Sequence, residues 1–152
     1  MGRSLPSCPR LVEDKVFEIT DKEIVAGELA ELVLSDADGA VVTFSGVVRG
    51  VSKGKKVLYL EYEAYKEMAE KKMAELGDEI KARWPVDGVA IRHRVGHLEI
   101  GDTAVAIAVS SAHRKEAFEA CQYAVDRLKQ FVPVWKKEVW EDGEVWVGRE
   151  GG

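Results

Sequence analysis

At residue 65 the hydrophobic period of the chain changes. Residues 57–65, VLYLEYEAY, alternate, with Leu58, Leu60, Tyr62 and Ala64 on one face and Tyr59, Glu61, Glu63 and Tyr65 on the other. That is the period of a half-buried strand. From Lys66 to Trp84 the apolar residues Ala69, Met73, Leu76, Ile80 and Trp84 recur at 4-3-4-4 spacing, which is one stripe of a helix, and Pro85 stops it. A strand that feeds a long amphipathic helix must bury the helix stripe on a sheet.

The rest of the chain repeats the theme. KVFEIT (15–20) reads as a strand, and a helix follows from about Ile24 to Leu34, ended by the turn DADG (36–39). AVVTFSGVVR (40–49) is a strand in which Gly46 marks a bulge or a close backbone approach. GVSKGKK (50–56) has the composition of a mobile loop. Two strands, roughly 88–95 and 103–110, flank the connection GHLEIGD, and a second long helix spans about Arg114 to Phe131. Its buried stripe is Ala117, Cys121, Ala124 and Leu128, flanked by Phe118 and Val125. VWKKEVW and EVWVG, joined by EDG, form a closing hairpin. The expected organisation is one α+β domain over 15–148, with flexible tails at 1–14 and 149–152.

Charge narrows the function. The net charge is −5 and the pI about 5.3, so nucleic-acid binding by a basic face is disfavoured. From Ala112 to Lys137, however, six Lys/Arg face three acids, an excess of +3 that leaves −8 on the remainder. A cationic patch on an acidic protein suits a small anionic ligand. The two cysteines, Cys8 and Cys121, form no CxxC, and no His-rich spacing indicates a metal. Cys121 on a helix stripe reads as a buried small hydrophobe. Without a signal-like or membrane-length segment, a soluble cytoplasmic setting is expected.

The cations fall at element ends, where ligand sites gather. Arg49 closes the strand TFSGVVR on the face of Thr43, Ser45 and Val47. His113 and Arg114 open the second long helix, where a cation opposes the helix dipole unless an anion joins it. LKQFVPVWKKE (128–138) brackets an apolar run with Lys129, Lys136 and Lys137. By pattern Lys129 and Lys136 are half-buried. Such lysines commonly snorkel to water. Beside other cations, though, a desolvated lysine has a lowered pKa and becomes a nucleophile or an acid–base group. No P-loop, GxGxxG, Ser-His-Asp order or carboxylate pair competes, since Glu61 and Glu63 read as a solvated face.

FSGVVRG (44–50), LEYEAY with Met68-Ala69, HRVGHLEIGD (93–102), SSAHR with AFEACQYAVDRLK, and PVWKKE followed by Trp146-Val147 occur in this order. Together they resemble the large, catalytic subunit of molybdopterin synthase over about residues 15–148. The resemblance implies an α/β hammerhead-like fold with additional antiparallel strands. It implies a sulfurtransferase that converts cyclic pyranopterin monophosphate (precursor Z) to the molybdopterin dithiolene. Sulfur would come from the thiocarboxylated C-terminus of a ubiquitin-like small subunit, in a heterotetramer around a dimer of large subunits, with no cofactor or metal. By position, Lys129 and Lys136 are the implied catalytic lysines. Val47, Val48, Arg49, His113, Arg114, Lys137 and Glu138 join them as the implied substrate pocket, with His113 and Arg114 supplied by the partner chain. Lys129, held rigid on the helix, is expected to be the more sensitive lysine. The family also has a C-terminal arginine beyond the Trp-Val pair, and Arg149 follows that pair here at a shifted spacing. The terminal Gly151-Gly152 resembles the small partner's tail but is expected to be disordered. The alternative is a non-catalytic dimeric regulator that binds a phosphorylated metabolite with the same cations.

Overall fold

Strands β5 (Val86–Arg94) and β7 (Thr103–Ser111) alternate large and small apolar residues, and that alternation sets the layering. The computed structural model describes residues 15–147. The expected tails, with Cys8, Arg149 and the terminal glycines, lie outside the described residues. β5 and β7 pair antiparallel at the centre of a four-stranded sheet of order β1-β5-β7-β2. β1 (Phe17–Thr20) lies parallel to β5, and β2 (Ala40–Val47) lies antiparallel to β7. Successive side chains point to opposite faces. Val89, Ile91, Ile107 and Val109 therefore pack against the long helices α2 (Lys66–Arg83) and α3 (Arg114–Phe131). Ala90, Ala106 and Ala108 point the other way and let the short helix α1 (Ala26–Val33) settle closely with Leu29 and Val33.

The helix stripes occupy the places their spacing predicts. Ala69, Met73, Leu76 and Ile80 are fully buried, as are Ala117, Ala120 and Ala124. Cys121 is 4% exposed, and burial pushes its thiol up to about 11, so it is an inert core residue. Gly88 is where α1 comes closest: a Cβ there would lie 2.8 Å from the Val33 side chain and 2.9 Å from its carbonyl oxygen.

A second, five-stranded sheet runs β3-β4-β8-β9, with β6 also paired to β4. Its strands are β3 (Val51–Ser52), β4 (Lys55–Ala64), β6 (Gly96–Glu99), β8 (Val134–Trp140) and β9 (Gly143–Val147). Val48, Val57, Leu60, Leu98 and Ala104 form its own small core.

Three expectations need correction. The segment 50–56 is a hairpin rather than a loop. Lys53 (φ 55°) and Gly54 (φ 77°) both take the left-handed conformation that a two-residue hairpin turn demands. The connection GHLEIGD contains β6, held by the single buried side chain Leu98 between turns at Gly96 and Gly101. In β4 an irregularity in pairing between Val57 and Tyr59 turns Leu58 outward, where it is 39% exposed, and leaves Val57 buried in its place. Leu60 and Tyr62 keep the inward face.

Candidate active site

The C-terminal half of α3 and the start of β8 face the ends of β2, β4, β5 and β7 across a cleft of about 320 Å³. Its walls are apolar, from Phe44, Val105 and Ile107 on the first sheet to Val125, Leu128, Val132 and Val134 on the facing segment. Arg49, Lys129 and Lys136 line it as well. The apolar run between the two lysines explains its own sequence. Val132 and Val134 are buried in the main core, with Phe131 packed against it. They fix the helix end and the strand start from which the two amines approach one space.

The backbone at Arg49 is set by Gly46. The pairing of β2 with β7 shifts register between Gly46 and Val47. A Cβ at Gly46 would lie 2.9 Å from Val105 Cγ1, so the close approach expected there is present. The strand ends at Val47, and Arg49 follows it as an exposed residue on the cleft rather than as the last residue of the strand.

Lys136 is the desolvated cation, with its side chain 16% exposed. Burial lowers its pKa, and the neighbouring charges of Lys129 and Arg49 push the same way. Glu138, with Oε2 3.7 Å from the ammonium, opposes them. Lys129 is exposed rather than half-buried, because it lies beyond the stripe residue Leu128 at the open end of α3. Lys137 points to the opposite face of β8. There it bonds Glu61 at 3.1 Å and Glu144 at 3.2 Å, and those contacts raise its pKa.

The other expected residues separate. Val47 lines the cleft, whereas Val48 is 4% exposed in the second core. Glu138 is buried beside the cleft rather than lining it. Its Oε2 accepts a hydrogen bond from Ser52 Oγ at 3.2 Å and its Oε1 one from Trp140 Nε1 at 3.2 Å. His113 and Arg114 are exposed at the N-terminal end of α3. Fifteen residues separate Arg114 from Lys129, about 22 Å of helix at 1.5 Å per residue. Within one chain the structure does not bring His113 and Arg114 to Arg49 and the lysines.

Two cleft residues escaped the sequence reading. His93 is 7% exposed and its Nδ1–H donates to the Arg94 carbonyl at 3.0 Å. Burial holds it neutral, its pKa pushed down to about 4. Tyr62 meets the His93 ring edge-on at 5.0 Å, and burial followed by the Glu138 charge pushes its phenol up to about 12. Both were recoverable from period two alone, since His93 shares a strand face with Val89 and Ile91, and Tyr62 shares one with Leu60. The floor of the cleft is thus neutral, and its fixed charge is positive. The arrangement can hold a flat ligand with an anionic end and present a weakly held proton at Lys136.

The family model for the MoaE protein matches residues 19–131 of this chain. The molybdopterin synthase catalytic subunit of Halalkalibacterium halodurans is 54% identical over 134 residues, spanning 88% of this chain and 86% of that protein. The subunit of the same name from Staphylococcus aureus (strain COL) is 52% identical over 138 residues, spanning 91% and 93%. The crystal structure of molybdopterin synthase from Staphylococcus aureus superposes with a TM-score of 0.85 at 52% identity, covering 88% of this chain and 98% of that one. A complex of subunits 1 and 2 of molybdopterin-converting factor from Helicobacter pylori shares the fold, with a TM-score of 0.72 at 20% identity.

Proposed function

The chain belongs to the MoaE protein family, and from that premise we propose that it is the catalytic subunit of a molybdopterin synthase. It passes sulfur from the thiocarboxylated C-terminus of a ubiquitin-like small subunit to cyclic pyranopterin monophosphate, giving the dithiolene of molybdopterin. The observation that carries this reading is Lys136, a lysine 16% exposed on an apolar cleft beside Lys129 and Arg49. A site that merely captured a phosphorylated metabolite would need the cations but not a desolvated amine, which disfavours the regulator.

In this reading Arg49 and Lys129 draw the substrate phosphate to the open side of the cleft. The pterin body lies over Phe44, Val105 and the neutral pair Tyr62–His93. Lys136 gives or takes a proton as sulfur adds to the accepting carbon, because a lowered pKa makes an amine competent as an acid–base group. Glu138 acts as the buried counter-charge of Lys136 rather than as a substrate contact. His113 and Arg114 complete the site from a second copy of the chain, since about 22 Å of helix separates them from their own cleft. The described residues belong to one catalytic domain of hammerhead type. No helix among them is long and apolar enough to cross a membrane, and a cytoplasmic setting suits the chemistry.

Single-turnover conversion of the pterin with thiocarboxylated small subunit tests the assignment. Lys136→Ala and Lys129→Ala should each lower the rate by about 10²-fold or more, the scale of a lost acid–base group. Because Lys129 is exposed and Lys136 is the buried member, the order expected from the sequence is reversed: Lys136 should be the more sensitive, and Lys137→Ala should lose less. Wild-type rates for both Lys129→Ala and Lys136→Ala would refute the catalytic reading and favour the regulator.

A further inference from the structure

Ser52 has no place in the site described so far, yet it touches the group that controls Lys136. It stands at the end of β3, just before the tight turn of Lys53 and Gly54. Its hydroxyl donates to Glu138 Oε2 at 3.2 Å. The same oxygen lies 3.7 Å from Lys136 Nζ. The other carboxylate oxygen is held by Trp140 Nε1 at 3.2 Å. Glu138 is therefore clamped on both sides, and its Oε2 is shared between a hydroxyl and an ammonium. A charge-assisted N–H···O bond is about 2.7–2.9 Å long when closed, and at 3.7 Å the Lys136–Glu138 pair is wider than that.

We propose that Ser52 is a positioning residue for Lys136, acting through Glu138. The tip of the β3–β4 hairpin thereby sets how tightly the amine holds its proton, although residues 51–56 do not line the cleft. The proposal rests on the reading of Lys136 as a reacting group, but its direct test does not need turnover. Several charged and titratable groups face Lys136. Glu138 lies on its own strand, Tyr62 opposite it on β4, Lys129 on α3, Arg49 after β2 and His93 on β5. Between the His93 value of about 4 and the Tyr62 value of about 12 the phenol and the imidazole are both neutral, which leaves Glu138 as the one negative partner among these groups.

Removing the Ser52 hydroxyl frees Oε2 to close on the ammonium. The protonated form of Lys136 gains, and its titration moves to higher pH. The experiment follows the Lys136 Cε resonance by NMR through a pH titration of the full chain labelled with ¹³C-lysine, with Lys136→Arg identifying the signal. In Ser52→Ala the midpoint should rise by about half a pH unit to one unit, because a carboxylate that moves closer favours the charged amine. Ser52→Thr, which keeps the hydroxyl, should restore the wild-type midpoint. An unchanged or lowered midpoint in Ser52→Ala, or a Thr variant that behaves like Ala, overturns the proposal.

The pH–rate profile of sulfur transfer gives the second readout. Whichever protonation state the reaction uses, the limb set by Lys136 should move upward by the same amount. A resonance that moves while the rate profile stays fixed overturns the claim that this latch acts on the reaction. That outcome is distinct from failure of the lysine assignment, which shows as undiminished turnover in Lys129→Ala and Lys136→Ala.

Discussion

Acidification should weaken this protein in part through His93, and the size of that part follows from the residue's burial. The imidazole has an ordinary pKa of 6.5, and in the folded chain it is held down to about 4. Between those values the unfolded chain binds a proton that the folded chain refuses. Stability therefore rises with pH across the window and is lost as pH falls from about 6.5 to 4. At 1.36 kcal/mol per unit the loss amounts to about 3 kcal/mol, a large share of the 5–15 kcal/mol typical of a domain. The comparison is with His93→Phe, which keeps a ring beside Tyr62 and cannot titrate. Urea unfolding of both proteins at several pH values between 7 and 4 gives two stability curves. Glu79, whose carboxyl is held low chiefly by the Tyr123 hydroxyl, makes both curves fall, but such contributions cancel in the difference. The variant's lost hydrogen bond to the Arg94 carbonyl offsets its curve by a constant. The difference between the curves should therefore shrink by up to about 3 kcal/mol on the way to pH 4. A difference that stays constant would refute the reasoning, because it would mean that His93 is not a buried neutral group.

Gly88→Ala should destabilise the fold by about 1–3 kcal/mol in urea, the range for an overpacked contact, since the added Cβ would meet the backbone of Val33 at 2.9 Å. Arg114→Ala and Lys136→Ala should each be inactive as homodimers yet complement each other. If one chain lends Arg114 to the cleft that holds the other's Lys136, random exchange in a symmetric dimer restores about a quarter of wild-type turnover. No recovery in a mixture whose chains have exchanged would remove Arg114 from the site.

The fold was legible where one period ran uninterrupted. The stripe of α3 from Ala117 to Leu128 and the hairpin around EDG needed only spacing and turn chemistry. What was lost was lost to backbone events that shift the period by one residue. The irregularity at Val57–Tyr59 reverses which of Val57 and Leu58 is buried, and the bulge at Gly46 ends β2 before Arg49. Short strands fail for a different reason. β6 carries one buried side chain, Leu98, and β3 has only two residues, so neither offers a repeat to detect. Their pairing to β4 is a tertiary fact.

The site was legible by residue type but not by environment. Period alone gave Lys129 and Lys136 the same half-buried status, yet they differ because one follows the last buried residue of a helix and the other sits within a paired strand. Desolvation reaches Lys136 because its cross-strand neighbour is Tyr62 and Glu138 is two residues along on the same face. The second relation is local, but the first is not, since 74 positions separate Tyr62 from Lys136 in the chain. The cation cluster that marked the segment from its composition is therefore only half of the device. The other half is a neutral floor of Tyr62 and His93, which keeps the cleft low in dielectric, and a clamped carboxylate, which returns part of the proton affinity that burial removes. An amine set between those opposing effects is poised to exchange a proton, whereas three exposed lysines on a solvated strand would not be.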